Sequence, residues 1–231
     1  MNANKRTAHI AGIIYLVVVL TGIFSLAYAP SRLIFWDNPA ETLLRIRNSE
    51  GLFRLSIISS IICYIAFLLL PLVLYRLLSP VNSTYAKLMV VFALVSVPIS
   101  FLNLQNKYDV LTLVSKVDYV KEFTEQQIRT NVMLLLERYD HGILILQIFW
   151  GLWLFPFGYL VFKSGILPKV LGILLMLGCI GYLISVIGHT ASKSYGELAI
   201  SKYIRLPASI GEIGTCLWLL IMGAKKSQDK Q

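Results

Sequence analysis

Charge is what this chain of 231 residues has least of. Only 14% of its residues are Asp, Glu, Lys or Arg, whereas 57% are hydrophobic and the mean hydropathy is +0.71. A soluble domain carries about 25% charged residues. The composition therefore excludes an ordinary soluble domain and predicts an integral membrane protein, with the lipid bilayer as its first partner.

Motifs for metal or nucleophilic chemistry are also lacking. The three cysteines, Cys63, Cys179 and Cys216, stand far apart in apolar stretches, without CxxC or Cys/His spacing. That arrangement indicates neither a disulfide framework nor a zinc site. The chain also lacks HExxH and GxSxG motifs, which mark zinc proteases and serine hydrolases. We predict no cofactor and no metal.

Six apolar stretches are present, and each is close to the 20 or so residues that a membrane helix needs. They cover residues 8–29, 55–75, 88–105, 142–162, 170–188 and 206–224. We therefore predict an all-α fold, a single transmembrane domain (1–231) of six helices. Two longer loops predict short amphipathic helices: one within residues 31–51, and one after Thr124, which has capping-box spacing to Gln127. The second helix either runs into the fourth span or bends just before it.

The basic residues predict how the spans are oriented. The side that holds both termini has nine Lys/Arg and one acid, whereas the other side has twelve Lys/Arg and eleven acids. By the positive-inside rule, both termini are cytoplasmic, and we predict a bacterial plasma membrane location. The net charge of +9 then reflects contact with anionic lipid. No nucleic-acid-binding motif accompanies it, so nucleic acid is not an expected partner.

Several segments resemble a known family. They are GLWLFPFGYLVFKSGILPKVLGILLMLGCIGYL, with HIAGIIYLVVVLTGIF at the start, LYRLLSPVN in a turn and GEIGTCLWLLIMGAK near the end. On these residues the chain resembles the domain of unknown function 4386 family, which consists of bacterial multi-pass membrane proteins. The resemblance implies a polytopic membrane protein. It implies no substrate, cofactor or catalytic residue.

One acid, Glu212, interrupts the sixth span. A carboxylate at the centre of a membrane helix costs about 2.5–3.5 kcal/mol on insertion scales. Helical spacing places Glu212 on a face with small and hydroxylated residues such as Ala208 and Thr215, opposite the Leu and Ile residues. The carboxylate is therefore expected to face another helix. We predict Arg54 as its partner, with His189 as the second choice.

Other polar residues lie near the same end of the spans as Glu212. They are Arg54, Asn103, Asp140, His141, Gln147 and His189. Ionisable groups inside a membrane protein mark substrate or ion paths by default. We therefore predict a polar pocket, formed by these residues and open to the outer side, that binds a small molecule or lipid for sensing or transport.

The sequence leaves other functions open. A Glu212–Arg54 pair could fix two spans together without any ligand, because polar contacts also cement membrane helices. Asp140 and His141 could simply be the wetted ends of a loop. An accessory subunit whose outer loops grip a partner is a further alternative. An enzyme ranks last: His141, His189, Asp140 and Glu212 could supply metal ligands or an acid–base pair, yet no motif supports it. The oligomeric state stays open.

Overall fold

The computed structural model describes residues 3–115 and 117–224. The chain is 88% helical, and no strand occurs in these two stretches. Within the described residues, nine α-helices follow one another: α1 (Ala3–Ile23), α2 (Ala29–Leu33), α3 (Pro39–Asn48), α4 (Glu50–Leu78), α5 (Ser83–Val114), α6 (Glu125–Ser164), α7 (Lys169–Ala191), α8 (Ala199–Tyr203) and α9 (Leu206–Ile221). A π-helix, Phe24–Tyr28, joins α1 to α2, and short 3-10 helices cover Asp118–Glu122 and Lys193–Glu197. The predicted all-α fold is confirmed.

Six segments are long and apolar enough to cross a membrane, as predicted. They are Asn4–Leu33, Glu50–Leu78, Ser83–Val114, Glu125–Ser164, Lys169–Ala191 and Ala199–Ile221. Most are longer than the apolar stretches that predicted them, because helical hydrogen bonding continues through polar residues beyond each stretch. The largest extension is α6, which begins at Glu125 and includes the amphipathic helix predicted after Thr124. That helix therefore runs directly into the fourth span.

Contacts between residues divide the chain into two compact units. The first unit comprises residues 1–17, 66–97 and 144–231, and the second unit comprises residues 18–65 and 98–143. The helices α1, α4, α5 and α6 each contribute residues to both units. Whether the chain behaves as the single domain predicted from its sequence stays a prediction.

The first unit is held together by close approach of helix backbones. A Cβ atom added at Gly178 of α7 would lie 2.7 Å from the Ala208 Cα of α9, and one at Gly211 would lie 3.1 Å from the Leu175 backbone nitrogen. Glycine permits this spacing, which suits helix packing in membranes. Gly181 likewise faces the Ile204 carbonyl. The fifth and sixth spans therefore pack closely at these glycines.

The second unit is filled by side chains instead. Its core is a cluster of buried apolar residues from α2 to α6, including Leu43 and Ile46 of α3. The amphipathic helix predicted in residues 31–51 is this α3. Asn38 caps its first turn by accepting a hydrogen bond from the Glu41 backbone N–H at 3.1 Å. Buried Thr42 exchanges hydrogen bonds with the backbone of Phe35 at 2.8 and 3.0 Å, which fixes the preceding turn against the helix.

Candidate functional site

Glu212 lies within the first unit, where its partner is a tyrosine. The hydroxyl of Tyr15, on α1, donates a hydrogen bond to the Glu212 Oε1 at 3.3 Å. Tyr15 is only 1% exposed and lies against the rings of Trp153 and Phe157, each 6.5 Å away between centroids. One turn beyond Glu212, the Cys216 thiol contacts the Gly12 carbonyl at 3.7 Å. Glu212 therefore faces another span, as expected, within an aromatic environment.

Arg54, the partner predicted for Glu212, forms an ion pair with a different residue. Its guanidinium forms an ion pair with Glu50, one turn earlier on α4, with an Nη2–Oε1 distance of 2.6 Å. Arg54 is more than half exposed and belongs to the second unit, whereas Glu212 belongs to the first. A Glu four residues before an Arg is the common pairing on a helix surface. The spacing of Glu50 and Arg54 was visible in the sequence. It is a better guide to the partner of Arg54 than the similar depth of Arg54 and Glu212 in their spans.

His189, the second predicted partner, is also occupied elsewhere. Its ring Nδ1 hydrogen-bonds the Ser185 carbonyl at 2.8 Å, and the ring packs edge-on against Tyr195 with centroids 4.8 Å apart. The Gly211–Leu175 contact places Glu212 near residue 175 of α7. Residue 189 is roughly 21 Å further along that helix at 1.5 Å per residue. The two spans do adjoin, but α9 begins beside the middle of α7, where Ala208 lies against Gly178, so His189 lies well beyond Glu212.

The other predicted site residues are distributed over both units. Gln147 lies in the first unit, buried to 8% exposure, and its Oε1 has no partner among the described residues. Asn103, Asp140 and His141 lie in the second unit. Asn103 donates from Nδ2 to the Tyr139 carbonyl at 2.9 Å, while Asp140 and His141 are exposed on α6. Of the seven predicted site residues, the first unit thus contains Glu212, Gln147 and His189, and the second unit contains the other four.

A cavity in the second unit was missed by the sequence reasoning. We call it the loop cavity: its volume is 590 Å³, and its lining residues are Arg47, Glu50, Leu113, Val114, Ser115, Val117, Val120, Lys121, Phe123 and Ile128. These residues come from the end of α3, the start of α4, the end of α5, the connection after it and the start of α6. They are far apart in sequence, and half of them are ordinary aliphatic side chains. No local pattern could therefore have identified the cavity.

Hydrogen bonds at the start of α6 give the loop cavity one fixed wall. The Thr124 Oγ1 accepts a bond from the Gln127 backbone N–H at 3.3 Å, and the Gln127 Oε1 accepts one from the Thr124 backbone N–H at 2.8 Å. This reciprocal pair is the capping box predicted from the sequence. The capping box stands in sequence between Phe123 and Ile128, which both line the loop cavity, and it fixes the start of α6 at this wall.

Each charged residue that lines the loop cavity has an ion-pair partner that does not line it. Arg47 Nη1 lies 2.6 Å from Glu125 Oε1 on α6, and Glu50 is paired with Arg54. Lys121 Nζ lies 2.6 Å from Asp118 Oδ1. All of these side chains are at least one-third exposed. Exposed pairs contribute only about 0–1 kcal/mol to stability. A charged group of a ligand could therefore replace the partner of Arg47, Glu50 or Lys121 at little cost.

The family that matches this chain is described as a domain of unknown function (DUF4386), and the match covers residues 10–223. The chain belongs to the DUF4386 family. It is also similar to an uncharacterized protein from Archaeoglobus fulgidus, with 28% identity over 176 residues, which are 75% of this chain and 86% of the relative. No solved structure matches it.

Metal binding by this DUF4386 chain has no support from its geometry. Within residues 3–115 and 117–224, no group of three or more His, Cys, Asp or Glu is placed so that it could hold a metal ion. The four residues considered for metal or acid–base chemistry are divided between the units, with Asp140 and His141 in the second, Glu212 and His189 in the first. Within the first unit, Glu212 contacts Tyr15 and His189 contacts Ser185.

Proposed function

We propose that this DUF4386 protein binds a small amphiphilic molecule or lipid at the outer side of the plasma membrane, with both termini in the cytoplasm. The membrane location is supported by six helices that are long and apolar enough to cross a bilayer. The orientation is supported by the excess of Lys and Arg on the side that holds the termini. The terminal residues 1–2 and 225–231 lie outside the described part of the chain.

The loop cavity is the observation that carries the binding role. Its 590 Å³ falls within the 300–1,000 Å³ typical of pockets for small ligands. Six lining residues are apolar, Leu113, Val114, Val117, Val120, Phe123 and Ile128, whereas Arg47, Glu50 and Lys121 are charged. Such a lining suits a molecule with an apolar body and a polar head. The segments that form the loop cavity belong to the two longer loops, which the distribution of Lys and Arg predicts on the outer side.

Filling the loop cavity tests this function. Val117 is exposed and lines the cavity, so Val117→Trp should occupy the space without disturbing the core. The probes are octanoate, 1-octanol and octylamine, added to the full chain in lipid nanodiscs. A ligand that binds the folded state raises the Tm by mass action. We expect at least one probe to raise the Tm of the natural protein and to lose most of that effect in Val117→Trp.

Val91→Trp is the matched control, because Val91 is exposed on α5 and does not line the loop cavity. It should keep the response to the probe. If no probe raises the Tm, or if the two tryptophan variants respond alike, the loop cavity is not a ligand site. An accessory role without a ligand would then be the better proposal.

Glu212 provides a second candidate ligand group. Its only described hydrogen bond, to Tyr15, is long at 3.3 Å, and a carboxylate can accept several bonds. Buried acids in membrane helices are functional by default. However, Glu212 lines none of the cavities described for this chain. The loop cavity is therefore the better supported site.

A further inference from the structure

Lys107 is a buried cation that the proposed function does not use. It lies on α5, within the segment Ser83–Val114 that is apolar enough to cross a membrane, and it is only 2% exposed. Its four-carbon stem ends among the apolar core residues of the second unit, where neighbouring Val110 and Leu111 are also buried. An ionisable side chain at such a place requires a specific partner.

The partner of Lys107 is a backbone carbonyl at the break in the first span. The Lys107 Nζ lies 3.5 Å from the Ser25 carbonyl oxygen. Ser25 belongs to the π-helix Phe24–Tyr28, in which the Ala29 N–H donates to the Phe24 carbonyl, five residues back. The next donor in this register would be residue 30. That residue is Pro30, which has no N–H, so the register provides no amide for the Ser25 carbonyl.

An aromatic ring completes the surroundings of the ammonium. The Nζ lies 4.4 Å from the centroid of the Tyr139 ring on α6, within the range of a cation–π interaction. Tyr139 is itself buried, and its hydroxyl is 3.5 Å from that of Tyr64 on α4. The Asn103 bond to the Tyr139 carbonyl ties the same residue to α5. A carbonyl dipole and a π face both favour a positive charge.

We propose that the Ser25 carbonyl and the Tyr139 ring form a binding site for a primary ammonium group, which Lys107 fills. The site satisfies a carbonyl that Pro30 leaves without an amide, and no backbone acceptor can be left unpaired inside a bilayer without cost. In transporters, carbonyls at broken helices coordinate coupling ions. Here the cation is tethered to α5 and cannot be released.

Chemical rescue tests the site. Lys107→Ala removes the ammonium and most of its stem, and should lower the Tm by roughly 5 °C, the order expected for one lost buried interaction in a chain of this length. Propylammonium chloride replaces the missing atoms, and we expect it to recover at least half of that loss. 1-Propanol, of equal size and without charge, should recover much less. Neither should affect the natural protein. Equal recovery by both compounds, or by neither, would overturn the proposal.

A cycle with Pro30 decides the question if Lys107→Ala does not fold. Lys107→Met keeps the length of the side chain and removes the charge, and Pro30→Ala restores an N–H at residue 30. We expect Lys107→Met to lower the Tm of the natural protein by roughly 5 °C, and that of Pro30→Ala by less than half as much. An equal loss in both backgrounds, or a higher Tm for Lys107→Met alone, would show that the ammonium does not serve the Ser25 carbonyl.

Discussion

The first unit contains twelve Lys or Arg and three acids, whereas the second unit contains nine of each. All four ion pairs between described residues lie in the second unit. The first unit, in contrast, places its acid Glu212 beside a tyrosine hydroxyl. The first unit, which contains both ends of the chain, therefore carries the whole net charge. The second unit has no net charge, and it is the unit in which charged side chains form ion pairs.

The two units also differ in how they fill space. In the first unit, backbones meet at glycine, as at Gly178 and Gly211, with little room between helices. In the second unit, Gly51 has no heavy atom within 4 Å of an added Cβ, and side chains form the core. Four cavities lie within the second unit. Tight backbone packing suits a rigid scaffold, whereas side-chain packing around loops leaves space for a ligand.

The largest difference we expect is in labelling from outside the cell. Cysteines at the outer ends of the spans should react with an impermeant reagent, and cysteines at the inner ends should not. Gln126, in the second unit, and Thr84, at the start of α5, are both exposed. Gln126→Cys should react fully with an impermeant thiol reagent on intact cells, whereas Thr84→Cys should react only after lysis. The natural cysteines are buried and give no background. Labelling of Thr84→Cys on intact cells would show that the orientation is the opposite of the proposed one.

Disruption of glycine packing should have the next largest effect. Gly178→Leu forces a side chain into the Ala208 backbone, 2.7 Å from the position of its Cβ, and overpacking of this kind costs about 1–3 kcal/mol or more. We expect little folded protein by size-exclusion chromatography in detergent. Gly51→Ala is the control, because nothing opposes its Cβ, and it should retain the natural Tm. A normal yield and Tm for Gly178→Leu would contradict the packing described for the first unit.

The features predicted well from the sequence are those that repeat along the chain. The six spans follow from the lengths of apolar runs, and the start of α6 follows from the spacing of Thr124 and Gln127, because both signals are local. The close approach of α7 and α9 was also predictable, because Gly178 and Gly211 have no side chain and let the backbone of the other helix come close.

The partners of polar groups could not be predicted, because they depend on which helices meet and in which register. The sequence placed Lys107 in a loop, since the apolar stretch before it ends at Gln105, whereas α5 continues to Val114. Tyr15 was passed over because a tyrosine in an apolar span is an ordinary core residue, and only the α1–α9 contact brings it to Glu212. A similar depth of two polar residues in their predicted spans was therefore a poor guide to whether their side chains meet.

Loss of the Tyr15 hydroxyl should have a moderate effect. Tyr15→Phe leaves the Glu212 carboxylate without this donor, and a buried polar group that loses its partner costs about 1–3 kcal/mol. Glu212→Leu should therefore lower the Tm less in Tyr15→Phe than in the natural protein. Tyr108→Phe is the control, since Tyr108 is exposed on α5 and its hydroxyl should contribute little.

Glu212→Gln separates a structural role of the acid from a functional one. If the Tyr15–Glu212 contact stabilises the first unit, this variant should also lower the Tm. An unchanged or raised Tm would contradict a structural role and favour a ligand at Glu212, because functional sites retain groups that reduce stability.

The smallest effect should come from Arg54, although it would be large if Arg54 paired with Glu212 as the sequence predicts. If Arg54 paired with Glu212 inside the membrane, Arg54→Gln would leave an unpaired buried acid, at a cost of about 3–5 kcal/mol. In the structure Arg54 is 54% exposed and pairs with Glu50 on its own helix, and such pairs contribute only about 0.3–0.5 kcal/mol. We therefore expect Arg54→Gln to lower the Tm by no more than about 2 °C. Its effect should add to that of Glu212→Gln, because the two residues have no shared partner. A large loss of Tm in Arg54→Gln, or its recovery when Glu212 is changed in the same molecule, would support the Arg54–Glu212 contact predicted from the sequence and contradict the Arg54–Glu50 pair.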